Sequence, residues 1–184
     1  LNALKKTGIL RFDLDKEIDE TLKESEKVRD KNKKDISSEK NYAKKIANKI
    51  QGNIPQIYAY KPYTPIAKRW CTQFNEKSKI VCRHDEVSEA NHNEVTKSFS
   101  CILFRDKEEE SIYIEKRLEF MKKLFKTNAK DTIEIEIEGK KTLSKMIKAM
   151  YIGDFVSCYL AILRKIDPTP VNIISELKDE LSKI

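Results

Sequence analysis

Residues 53–79 read NIPQIYAYKPYTPIAKRWCTQFNEKSK, and a change of period inside this stretch decides the fold class. The run 54–60 has the length and composition of a strand. After the Lys-Pro-Tyr-Thr-Pro turn, Ile66, Trp70 and Phe74 recur every four residues, the spacing of one helix face over 65–77. A second short apolar run at 80–84 completes a strand–helix–strand unit. Working outward, the alternation continues with a strand at 98–104 (SFSCILF) and a helix at 110–127 that turns Ile114, Leu118, Met121 and Leu124 inward. The segment 132–137 (TIEIEI) alternates with period two, as an edge or half-buried strand does. Residues 142–164 form one long helix, Asp167-Pro168-Thr169-Pro170 breaks it, and 171–184 form a last helix. Upstream, Ser38 is the expected N-cap of a helix over 39–51 bearing Tyr42, Ile46, Ala47 and Ile50, with Gly52 just past its end. Residues 13–34 are almost wholly charged, with Leu14, Ile18, Leu22, Ser25 and Val28 in a narrow stripe, which predicts a long exposed helix with few contacts to the core. Strands joined by crossover helices imply an α/β fold with a mainly parallel sheet flanked by helices, preceded by a long amino-terminal helix. Sites in such sheets lie beyond the carboxyl ends of the strands. That directs attention to the loops 60–64, 84–92 and 105–109.

The chain has 184 residues, enough for one cored domain and an appendage. Its formal charge of +7 raises a nucleic-acid partner. The surplus concentrates in the first fifty residues, however, and acids are interleaved nearly everywhere, which describes a solvated surface and not a basic groove. No run of about eighteen apolar residues and no basic-then-apolar leader is read, so neither a membrane partner nor export is expected, and the expected location is the cytoplasm. Cys71, Cys82, Cys101 and Cys158 lack Cys-x-x-Cys spacing and sit in apolar stretches, which predicts buried free thiols. Cys82, His84 and His92 match no standard ligand pattern, so no metal is expected. With four glycines and neither a Gly-x-Gly-x-x-Gly nor a Walker loop, dinucleotide and nucleoside-triphosphate cofactors are not expected either.

Two polar clusters remain, Asn75-Glu76-Lys77-Ser78-Lys79 at a helix end and Glu89-Ala90-Asn91-His92-Asn93-Glu94 after the next strand. By residue type alone Glu76 reads as an ordinary surface carboxylate and His92 as a loop or capping histidine. Their polarity without apolar periodicity, beside what is read as the carboxyl edge of the sheet, also makes them candidates for acid–base work.

The stretches 53–79, 86–95 (EVSEANHNEV) and 153–178 (GDFVSCYLAILRKIDPTPVNIISELK) resemble the second sugar-isomerase (SIS) domain of the bifunctional phosphoglucose/phosphomannose isomerases, in the same order and over about residues 40 to 184. The resemblance implies an SIS-type, flavodoxin-like domain over 38–184 and an interdomain docking helix within 1–37. It also implies a sugar-phosphate substrate, a homodimer and no cofactor. Glu76, in the Asn-Glu-x-Ser-Lys motif, corresponds to the catalytic base, and His92 to the ring-opening histidine, which family members place in the neighbouring subunit's site. Lys178 corresponds best to the lysine that follows Asp-Pro-Thr-Pro, and Thr169 to a sugar-side contact. Glucose 6-phosphate and mannose 6-phosphate both reach fructose 6-phosphate through a cis-enediol, so one carboxylate suffices to move the proton between C2 and C1.

Family members carry a preceding SIS domain whose Ser/Thr-rich loops hold the phosphate, and this chain has no counterpart to it. The loop 61–64 is bulkier than a small-residue phosphate cradle. The expectation is therefore a carboxy-terminal lobe lacking that missing amino-terminal SIS domain and inactive by itself. The alternative is a non-catalytic sugar-phosphate-binding regulatory SIS module, and a weaker one is a basic nucleic-acid-associated protein.

Overall fold

The computed structural model describes residues 2–9, 12–93, 99–170 and 172–183, with the backbone alone for 2, 91–93 and 172–174. A short helix α1 (Asn2–Lys6) and the long α2 (Leu14–Asn32) lead into α3 (Tyr42–Ile50). Then follow β1 (Ile54–Ala59), α4 (Thr64–Glu76), β2 (Arg83–Glu86), α5 (Val87–Asn93), β3 (Phe99–Arg105), α6 (Ile112–Asn128), β4 (Asp131–Glu136), α7 (Thr142–Leu163) and α8 (Asn172–Leu181). The four strands are all parallel, in the order β2-β1-β3-β4. β4 is an edge strand with alternating burial, as its period-two sequence predicts.

The pleat sends alternate side chains to two helical layers. On one face Tyr58 of β1 stacks on Phe125 of α6 with ring centroids 5.0 Å apart. On the other, Phe104 of β3 meets Trp70 of α4 edge-on at 5.3 Å. Behind α4 lies α7, packed against α2, α3 and α4 together. α7 is long and apolar enough to cross a membrane, which corrects the reading that the chain holds no such segment; its packing makes it the central helix of the domain.

Several expectations shift. The cap of α3 is Asn41, whose side chain accepts from the Lys44 N–H, and not Ser38. α6 buries Leu118, Met121 and Phe125 in place of Leu124. β2 starts three residues later than the apolar run predicts, because Ile80 and Val81 belong to the approach and Val81 is exposed. Cys71 and Cys82 are joined as a disulfide, Cα atoms 5.0 Å apart, while Cys101 and Cys158 are free. The expectation of four free thiols is thus corrected for two of them, which the return from α4 to β2 brings together.

α2 departs furthest from its reading. Leu14, Val28 and Asn32 are buried, and the helix lies along α7. The Asn32 side chain accepts from the Ala43 N–H at 2.8 Å and donates to the Val28 carbonyl at 2.8 Å, fastening α2 to α3. The Tyr159 hydroxyl of α7 donates to the Asn32 carbonyl.

Candidate functional site

α4 crosses back from the top of β1 to the foot of β2, so its last residue, Glu76, falls at the amino edge of the sheet. The expectation of a carboxyl-edge site is corrected for this residue by the direction of the crossover. Trp70 anchors the helix: it is fully buried, and its indole N–H donates to the Ala149 carbonyl of α7 at 2.9 Å. Gly153 permits the approach, since a Cβ there would come within 2.2 Å of Trp70 Nε1. Just past Glu76, the buried Ser78 hydroxyl donates to the Ser157 carbonyl of α7 at 2.7 Å. The Cys71–Cys82 disulfide brackets the same segment. Glu76 itself is half-buried.

Lys79 takes a positive φ of 53°, and its ammonium donates to the Glu76 carbonyl at 2.6 Å and to the Pro170 carbonyl at 3.0 Å. Pro170 closes the turn that follows α7. That helix ends with Lys165 in the left-handed region (φ 58°), the Ile166 N–H on the Ala161 carbonyl and the Lys165 N–H on the Ile162 carbonyl. The turn is then held by the Thr169 N–H donating to Asp167 Oδ1 at 2.8 Å, a bond that keeps the Asp167 carboxyl below the usual carboxylate range. Beside this edge, burial pushes the Asp154 carboxyl up against the opposing pull of Arg69, 3.5 Å away, and of Lys77.

The structure thus brings Glu76 and the Thr169–Pro170 turn together. Lys178 lies exposed on α8, whose contacts with the body are sparse among the described residues, with Leu177 and Leu181 also exposed. His92 is on the backbone of α5, and its side chain lies outside the described residues. α5 begins at the carboxyl end of β2, the opposite edge from Glu76. The expectation that Glu76 and His92 share one rim, in one subunit or across two, falls on a side chain outside the described residues; what the backbone places at the opposite edge from Glu76 is the start of α5. Of the three residues considered for a metal, Cys82 is spent in the disulfide.

The carboxyl edge is occupied by a buried ionic lattice that sequence reading missed. Asp106, fully buried at the end of β3, receives the Lys145 ammonium on both oxygens at 3.0 Å and the Tyr63 hydroxyl on one. The Tyr60 hydroxyl accepts from the Asp106 N–H at 3.1 Å. Next to it Arg105 grips Glu110 through two bonds of 2.9 and 3.0 Å and also reaches Glu119 and Glu134. Burial raises the Tyr63 hydroxyl well above the ordinary tyrosine value, and its bond to Asp106 adds to the rise. Lys145 is also raised: burial pulls it down, and its bonds to Asp106 and Glu108 overcome that. The loop after β1, where an anion cradle would stand in such a sheet, is filled by Tyr63 and backed by a carboxylate.

Residues 39–181 match the model of the bacterial phosphoglucose isomerase C-terminal SIS domain. The chain belongs to this family. A bifunctional phosphoglucose/phosphomannose isomerase of Caldicellulosiruptor bescii is 35% identical over 181 residues, which cover 93% of this chain and 53% of that protein. One from Thermoplasma acidophilum is 32% identical over 158 residues, 80% of this chain and 49% of the relative. This SIS chain thus spans about half the length of those relatives. Among solved structures, a glucose-6-phosphate isomerase-like protein from Thermus thermophilus superposes with a TM-score of 0.65 at 17% identity, over 81% of this chain and 52% of that one. The C-terminal domain of glucosamine-fructose-6-phosphate aminotransferase from Francisella tularensis gives 0.53 at 16%, over 82% and 43%. At those identities the two likenesses speak for the SIS fold alone.

Proposed function

We propose that this SIS domain is the proton-moving lobe of an aldose–ketose isomerase that interconverts glucose 6-phosphate or mannose 6-phosphate with fructose 6-phosphate through a cis-enediol. The observation that carries the reading is the treatment of Glu76: a half-buried carboxylate on the last residue of α4, in a segment fastened by Ser78, by Lys79 and by the Cys71–Cys82 bond. A base must be held still to exploit proximity, and fixed geometry can supply up to about 7–11 kcal/mol of an enzyme's advantage. Glu76 takes the C2 proton and returns it at C1, His92 donates to the ring oxygen, and Lys178 stabilises charge on oxygen, with Thr169 on the sugar side.

Two features favour a composite site. Glu76 and the start of α5 stand at opposite edges of the sheet, so His92 is supplied by a second copy in a two-fold dimer. The closed carboxyl edge at Tyr63 and Asp106, and the doubled length of the relatives, favour a preceding SIS domain as the holder of the phosphate.

The test is solvent exchange in the whole protein to which the lobe belongs. In deuterium oxide, without added metal, it is expected to interconvert the three sugar phosphates and place deuterium on the enediol carbons themselves, C1 of the ketose and C2 of the aldoses; residues 1–184 alone are expected to do neither. Tight sugar-phosphate binding with neither interconversion nor deuterium uptake in the whole protein would establish the regulatory module instead.

A further inference from the structure

Lys79 belongs to the motif that carries Glu76 and takes no part in the proton transfers above. Glu76 is the last helical residue of α4, so its carbonyl lacks an intrahelical partner and sits at the negative end of the helix dipole. The Lys79 ammonium supplies that partner at 2.6 Å and spends a second donor on Pro170, 91 residues further along the chain, at 3.0 Å. Ser78 ties the same segment to α7, whereas Lys79 ties it to the entry of α8. Because α8 has sparse contacts elsewhere among the described residues, this bridge sets where the helix departs from the body. The lysine holds a left-handed backbone conformation, unusual for a residue with a side chain, in the same turn.

We infer that Lys79 is a positioning residue: it latches the carrier of Glu76 to the Asp-Pro-Thr-Pro turn and so fixes the distance from the base to Thr169 and to the helix bearing Lys178. This rests on the reading of Glu76 as the base. Its loss leaves the phosphate grip intact and misplaces the reacting groups, so it acts on turnover and not on substrate affinity.

Lys79→Met keeps the length and the backbone conformation and removes the donors; Lys79→Arg keeps the charge and the donors. In residues 1–184, Lys79→Met is expected to speed amide hydrogen exchange across 172–181 about tenfold, the scale of one charged hydrogen bond, with an unfolding midpoint near that of the parent. In the whole protein kcat is expected to fall about 10- to 100-fold, as for a misplacement of about 1 Å, at nearly constant KM. Lys79→Arg should recover most of both. Unchanged exchange, an Arg variant no better than Met, or normal turnover in Lys79→Met while Glu76→Gln is inactive would each overturn the latch. If Glu76→Gln retained turnover, the reading of Glu76 would fail and the catalytic meaning of the latch with it, while the exchange result would still judge the bridge itself.

Discussion

A methyl group at Gly153 would sit 2.2 Å from the indole nitrogen of Trp70, inside any tolerable contact. Trp70 has nowhere to retreat: it is fully buried, bonded to Ala149, and in edge contact with Phe74 and Phe104. Gly153→Ala is therefore expected to destabilise by about 1–3 kcal/mol, the range for overpacking a core, read as a lowered urea midpoint. An unchanged midpoint would mean that α4 and α7 can part without cost. Trp70 as a core residue was legible from its period of four. Its partner was not, since Ala149 lies 79 residues away and pairing at such range leaves no local pattern. The same limit hid the Lys79 bridge and the Asp106–Lys145 pair, whereas the Cys71–Cys82 bond spans only 11 residues and was passed over because it lacks a Cys-x-x-Cys spacing and sits in apolar stretches. Glu76 and His92 drew attention only as polar residues without apolar periodicity; their roles came from the motifs' likeness to a family.

At the scale of elements, strands and helices were readable because period two and period 3.6 are local properties, and those that were read stand within a few residues of their expected places; α1 was not read, and α5 stands where a polar loop was expected, because seven polar-rich residues show no apolar period. α2 was misjudged because a narrow stripe on a charged helix looks the same whether it faces solvent or a neighbour. The neighbour is α7, which is apolar on most sides and accepts such a stripe. Removing residues 2–32 should then expose α7 and cost Asn32's bonds to α3, lowering the melting temperature by many degrees; a one-kilocalorie loss already moves a domain of this size by about 2–4 °C. A shift smaller than that would restore the picture of a loosely attached arm. The sheet's edges were also misassigned from sequence. A helix read as following a strand gives no hint of where its end falls until the crossover is drawn, and α4 delivers Glu76 to the foot of β2.

Across the whole molecule the two edges of the sheet differ: at the carboxyl edge the stretch around Tyr63 and Asp106 is closed by buried charge, while Glu76 stands at the amino edge. The seal has a pH signature. Tyr60, Tyr63 and Lys145 all have values raised in the fold, so the stability they contribute is fully present below the ordinary tyrosine value of 10.0 and is lost as pH rises above it. Urea midpoints should be level from pH 8 to about 10 and fall beyond, and Tyr63→Phe should flatten that fall. A slope no different in Tyr63→Phe would remove Tyr63 from the linkage. The central claim is that Glu76 moves the proton, and the most direct measurement is steady-state kinetics of Glu76→Gln in the whole protein, with glucose 6-phosphate and with mannose 6-phosphate. The amide keeps the shape and loses the basicity, so kcat should fall about 100- to 10,000-fold for both sugars while KM stays near that of the parent. Near-normal turnover with either sugar would contradict the assignment at its central residue.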